Sequence, residues 1–139
     1  MRILLDDIAR CFEGEVPSLM ATCSPEGEPN LAHLSRVYMV DEHHVATSNQ
    51  FFTKTVKNLA ANPLASLLCI EPVTLGTYKL LLQHERSETE GELFDTVCRS
   101  IEVIASLTGM SHVFALRAVD VFRVLDVEAV NPARSDQAS

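Results

Sequence analysis

The residues best placed to do chemistry lie within residues 47–63, TSNQFFTKTVKNLAANP. The pattern reads as a strand end that turns sharply into a short helix. Lys54 then falls in or near the first helical turn, where the backbone dipole disfavours a cation. A bound anion removes that conflict, because the free N–H groups of a helix start already hold phosphates well. The hydroxyls of Thr47, Ser48, Thr53 and Thr55 add further donors. Arg36, Lys54 and Lys57 are the cations from which a local basic pocket can be built. The plainer alternative is a solvated lysine beside ordinary helix caps.

The elements that position these residues can be read in order. In the short helix, Phe52, Val56, Leu59 and Ala60 fall at i, i+4, i+7 and i+8 and predict one apolar stripe. Ser48 and Asn49 are good N-cap types, and Asn62-Pro63 is a stop signal. Upstream, Leu4, Leu5, Ile8, Cys11 and Phe12 predict a helix that Gly14 can close. Residues 18–23 predict a strand, and Ser24-Pro25-Glu26-Gly27 a turn. Residues 30–40 predict one long strand. Its two faces carry Leu31, His33, Ser35, Val37 and Met39, and Ala32, Leu34, Arg36, Tyr38 and Val40. Neither is cleanly polar, so one face is expected on the core and the other under ligand or partner.

Residues 41–44 predict a polar hairpin turn, with residues 45–47 returning as a strand. Residues 64–70 are almost wholly apolar and suit a central strand. Residues 71–76 predict a loop, and residues 77–84 a strand with Tyr78, Leu80 and Leu82 on one face. Thr89 and Glu92 have capping-box spacing. They open a helix whose stripe is Leu93, Phe94, Val97, Ile101, Ile104 and Ala105, ending at Gly109. Residues 112–116 and 119–127 predict the last strands. The order favours a mainly β fold with flanking helices, an antiparallel sheet closed into a small barrel. Residues 1–130 are expected to form one domain and residues 131–139 a flexible C-terminal tail.

A chain of 139 residues is long enough for one domain with a real core. A net charge of −8 argues against a nucleic-acid surface but not against a local anion pocket. No run is long enough to span a bilayer, and residue 1 opens no secretory signal pattern. Cys11, Cys23, Cys69 and Cys98 lack metal-ligand spacing, which predicts buried free thiols in a reducing cytoplasm. His43 and His44 are adjacent in a turn and would point apart, which fits a solvated turn better than a metal site. His33, in an apolar strand, reads as a satisfied core histidine rather than a haem ligand. His84 with Glu85 could act as acid and base, or be a surface pair at a strand end. Cys69 reads as packing rather than nucleophile.

Two long stretches carry a family resemblance. They are VPSLMATCSPEGEPNLAHLSRVYMVDEHHVATSNQFFTKTVKNLAANPLASLLCI and the C-terminal FALRAVDVFRVLDVEAV. Over residues 15–130 the chain resembles the flavin-binding split-barrel group related to pyridoxamine-phosphate oxidase. The resemblance implies a split barrel and a homodimer with FMN at its interface; deazaflavin and haem are the alternatives on such a scaffold. It also implies that Arg36, Val37 and Tyr38 lie along the flavin, and that Thr47, Ser48, Asn49 and Gln50 line its ring or ribityl chain. Thr53, Lys54 and Thr55 would meet the phosphate, where cations and hydroxyls complete its hydrogen bonds.

The chain departs from the parent oxidase at two places. That enzyme has Ser-Arg-Lys at the helix start where this chain has Thr53-Lys54-Thr55. Its C-terminal Arg-Leu-x-Pro substrate motif is absent here. Oxidation of pyridoxamine phosphate is therefore not expected. Two function classes remain. One is a cytoplasmic FMN-dependent oxidoreductase acting on a small substrate. The other is a non-catalytic dimeric module that senses a flavin or has lost it. No catalytic residue is assigned.

Overall fold

The structure, a computed structural model, describes residues 3–34, 36–49, 53–108 and 116–131. A 3-10 helix, Leu5–Phe12, is followed by four strands, β1 (Ser18–Cys23), β2 (Pro29–Leu34), β3 (Tyr38–Asp41) and β4 (His44–Asn49). Helix α1 (Thr53–Ala61), strands β5 (Leu64–Ile70) and β6 (Thr77–Glu88), helix α2 (Glu92–Thr108) and strand β7 (Ala118–Asn131) complete the chain. All strands join one antiparallel sheet in the order β2-β1-β5-β6-β7-β4-β3.

The edges of that sheet, β2 and β3, are consecutive in sequence. Four Cα steps from Leu34 to Tyr38 span at most about 15 Å. A flat seven-stranded sheet would hold its edges roughly 29 Å apart. The sheet therefore curls on itself, which gives the small antiparallel barrel expected from the sequence. The single long strand expected over residues 30–40 is instead two. Val37 leaves the ladder, and its N–H donates to the Phe12 carbonyl at 3.1 Å. The chain must change edges there, and alternation alone cannot show that.

The barrel interior holds Met20, Leu34, Val37, Val45, Leu67, Cys69, Leu80, Leu82 and Phe122. The 3-10 helix adds Leu5, Ile8, Cys11 and Phe12 to this core. The segment kinks at Ile8, where φ is −120° and ψ 19°, and Leu4 is left exposed. Helix α2 covers the other face of β4 and β7, where Val97, Leu93, Phe94 and Ile101 meet Ala46, Val119 and Val121. That stripe is the expected one as far as Ile101; the side chains of Ile104 and Ala105, residue Gly109 and all but Leu116 of the strand expected at 112–116 lie outside the described residues, and Leu116 is not in a strand.

Several boundaries differ from the sequence reading. Strand β6 runs on to Glu88, beyond the strand expected at 77–84. Helix α2 begins at Glu92, with Asp95 N–H donating to the Gly91 carbonyl at 2.9 Å. Thr89 is thus too far upstream to cap it. Asn131 closes β7 opposite Thr77; the rest of the expected tail lies outside the described residues.

The turn after β1 forms as expected, with Gly27 at φ +86° and its N–H donating to the Ser24 carbonyl. The β5–β6 loop is closed by its own first residue. Glu71 accepts hydrogen bonds from the N–H groups of Val73 and Thr74 at 2.9 and 2.5 Å, and Arg10 approaches its other oxygen at 3.5 Å. The Thr74 N–H is the main influence holding the Glu71 carboxyl below its usual value of 4.5; the Thr74 hydroxyl, the Val73 N–H and Arg10 assist, against partial burial. Below its usual value the unfolded chain binds the proton first, so stability rises with pH through this window. The Glu71 contribution is complete above about 4.5 and is lost as pH falls through the lowered folded-state value. Melting temperature followed from pH 6 downward should therefore fall less steeply in Glu71→Gln than in the wild type.

Candidate functional site

Strand β4 delivers the chain to the corner where α1 begins. Thr47 lies opposite Asp120, Ser48 opposite Val119 and Asn49 opposite Ala118 on β7. Asn49 also accepts a hydrogen bond from the Arg117 N–H at 3.0 Å. Ser48 and Asn49 are strand residues, and the start of α1 that they were expected to cap adjoins residues 50–52, which lie outside the described residues. Thr53 opens α1, whose first turn carries Lys54 and no acidic residue. Lys54 and Lys57 are both exposed, and neither forms an ion pair among the described residues. Gln50, Phe52 and the side chain of Thr53 lie outside the described residues.

Of the expected stripe Leu59 is in the core while Val56 and Ala60 are exposed, and polar groups complete the seat of the helix. Its buried residues are Thr55, Asn58 and Leu59, and Val56 is 43% exposed. Asn58 Nδ2 donates to Thr22 Oγ1 at 3.1 Å, and Asn30 Nδ2 to Thr55 Oγ1 at 3.2 Å. These bonds satisfy groups that burial would otherwise penalise. They also fix α1 against β1 and β2.

The ten residues implied by the resemblance divide accordingly. Lys54 is presented to solvent at the amide end of α1. The Thr55 hydroxyl is held by Asn30, and Thr47 is only 1% exposed. Val37 packs in the core, so its side chain faces the interior. Arg36 is exposed and lies over the Tyr38 ring at 5.1 Å, while the Tyr38 hydroxyl donates to Ser100 Oγ of α2 at 3.1 Å. That pair stands on the α2 side of the sheet. No hydrogen bond or ion pair among the described residues joins it to α1.

A second polar centre was not legible as such. His84 Nε2 lies 3.2 Å from Asp120 Oδ1 and 3.2 Å from Ser87 Oγ, and Ser87 Oγ donates to the same Asp120 oxygen at 2.5 Å. The sequence offered Glu85 as the partner of His84. The fold gives Glu85 to His44, whose Nε2 is 3.0 Å from Glu85 Oε1 and whose Nδ1 is 2.8 Å from Asp41 Oδ1. His44 is therefore a bridging residue rather than a solvated one, while His43 is exposed. Ser87, His84 and Asp120 do not form a nucleophilic triad, which needs serine and aspartate on different ring nitrogens. Their partnership spans 36 residues, so no spacing rule would have found it.

His33 is exposed on β2 instead of buried in the core, because it alternates with Leu34 on the outer face of the sheet. Cys11 and Cys69 are buried; Cys23 and Cys98 are partly so. The Cys69 thiol donates a hydrogen bond to Cys11, which with burial pushes the Cys69 thiol up, so it stays protonated and inert. Among the described residues no group of three or more His, Cys, Asp or Glu side chains could hold a metal ion. No helix among them is long and apolar enough to cross a membrane.

Two cavities can be traced among the described residues. One, about 330 Å³, lies between residues 3–6, the 42–43 turn and residues 124–127. The other, about 800 Å³ and wide open, lies beside Met39, Val40 and the start of α2. Neither is lined by any of the ten candidate residues.

Residues 4–130 match the family described as Pyridoxamine 5'-phosphate oxidase. Among curated proteins there is no match. Among solved structures, an FMN-binding protein from Syntrophomonas wolfei subsp. wolfei aligns with a TM-score of 0.74 at 16% identity, over 91% of this chain and 88% of that one. A protein described as F420 reductase aligns at 0.61 with 13% identity, over 86% and 94%. HutZ, the haem storage protein from Vibrio cholerae, aligns at 0.56 with 17% identity, over 81% and 84%. At these identities the structural likeness concerns the fold alone.

Proposed function

Because the chain belongs to the pyridoxamine 5'-phosphate oxidase family, we propose that it is an FMN-binding flavoprotein that exchanges electrons with a small substrate. The observation that carries this reading is the exposed Lys54 in the first turn of α1, a helix with no acidic residue, directly behind β4. A phosphate fits this donor set: the free amides supply directed hydrogen bonds and Lys54 supplies charge. Thr47, Ser48, Asn49 and Gln50 would follow the ribityl chain and ring. FMN, when bound, supplies the redox chemistry, and the protein binds and orients it.

Two copies would enclose the cofactor. This is supported by the separation of Arg36 and Tyr38, held on the α2 side of the sheet, from α1, which is seated on β1 and β2. We place the protein in the cytoplasm, in keeping with four cysteines that form no disulfide. A second reading, a flavin-binding sensor or partner module without catalysis, draws support from the phosphate end. Only Lys54 is cationic in Thr53-Lys54-Thr55, and the Thr55 hydroxyl already has a partner.

Titration with FMN should quench flavin fluorescence and raise the melting temperature. A chain whose melting temperature and flavin signal stay unchanged at saturating FMN would refute the reading. Parallel titrations with a deazaflavin and with haem test the two competitors. Reduction of the bound flavin by NADH or NADPH separates the oxidoreductase from the sensor. Sedimentation should find two protomers per particle.

A further inference from the structure

The polar centre on β6 and β7 is not used by the cofactor reading. In a regular strand His84 and Ser87, three residues apart, face opposite sides. The register shift between His84 and Arg86 removes that opposition, as a bulge does when it re-aims a side chain. Both side chains then reach Asp120, which is 5% exposed. An ionised carboxylate only accepts hydrogen bonds. A bare ring nitrogen 3.2 Å from Asp120 Oδ1 would set lone pair against lone pair, so Nε2 of His84 carries the hydrogen. In a neutral imidazole the lone pair is then on Nδ1. Nδ1 has no hydrogen-bond partner among the described residues, and the His84 side chain is 22% exposed.

The geometry points to His84 as a proton-accepting residue, poised by Asp120, for a small ligand that presents an O–H or N–H at this end of the barrel. In the step, the ligand's O–H or N–H bond breaks, an Nδ1–H bond forms and the bonding pair stays on the ligand. No oxidant or reductant is consumed. The positive charge gained by the ring is balanced by the Asp120 carboxylate, and Ser87 holds that carboxylate in place. His84 is fixed further by its own N–H, which donates to the Pro63 carbonyl at 2.8 Å, and by the Phe122 ring, edge-on at 5.3 Å. Asp120 is its one charged contact among the described residues. Asp120 also lies directly opposite Thr47. A role for this proton transfer beside the flavin rests on the cofactor reading; the proton chemistry of His84 does not.

The test uses the full chain, without cofactor. Long-range ¹H–¹⁵N spectra of histidine-labelled protein at neutral pH should show His84 with the hydrogen on Nε2 and Nδ1 bare. Asp120→Asn, with its fold checked by melting temperature, should lose that fixed preference. Acylation by diethyl pyrocarbonate, read residue by residue by mass spectrometry, should modify His84 and slow severalfold in Asp120→Asn, with His33 and His43 unchanged. An Nδ1–H tautomer in the wild type, or a His84 that resists the reagent, overturns the assignment. If FMN fails to bind while these results hold, the cofactor reading falls and the assignment of His84 stands.

Discussion

Phe122→Ala is expected to destabilise the protein by about 3–5 kcal/mol, the range for emptying a fully buried aromatic site. Phe122 is 0% exposed and is among the largest side chains sealed in the barrel. It projects from β7, which pairs with β4 on one side and β6 on the other. Its ring meets the edge of His84, so the cavity would open beside the polar centre as well as in the core. Because a domain is stable by only about 5–15 kcal/mol, this one change would consume a large share of the total. Urea unfolding at constant slope would measure it. A loss below about 1 kcal/mol would mean that the barrel is not closed around this residue. Phe122→Leu, which refills most of the volume, should cost much less.

Lys54→Ala should weaken FMN binding by about 1.5–3 kcal/mol, the worth of a hydrogen bond to a charged group. That corresponds to roughly a 10- to 150-fold rise in Kd. Stability should change little, since Lys54 is exposed and forms no ion pair among the described residues. Lys57→Ala is the control. It removes the same charge from the same helix one turn later, where the field of the helix end has largely faded. If the two variants weaken binding equally, Lys54 acts only through net charge and the corner is not a phosphate seat.

Much of this architecture was legible from local rules. Residues 18–23 and 64–70 were read with the bounds they adopt, because turn chemistry flanks the first and Asn62-Pro63 precedes the second. The turn at Gly27 needed only the preference of glycine for positive φ. What failed was whatever depends on how the sheet closes. Residues 30–40 alternate as a continuous strand would, yet the chain must step from one sheet edge to the other at Val37. Leu59 packs in the core as expected, but Val56 does not, because α1 also sits on Thr22 and Asn30 through Asn58 and Thr55.

The candidate site shows the same division. Lys54 stood out because its charge conflicts with its place in a helix, a conflict visible in a few residues. The partnership of His84 with Asp120 needed two strands and a bulge, and the strand pattern around His84 gave no hint of either. Composition argued against a nucleic-acid surface but could say nothing about which cations lie close together.

The claim on which the account rests is that the amide end of α1, with Lys54, seats a phosphate. Matched titrations with FMN and with riboflavin, which lacks only that phosphate, test it most directly. FMN is expected to bind at least tenfold tighter, about 1.4 kcal/mol, with the gap closing in Lys54→Ala. Equal affinity of the two flavins for the wild-type protein would contradict it.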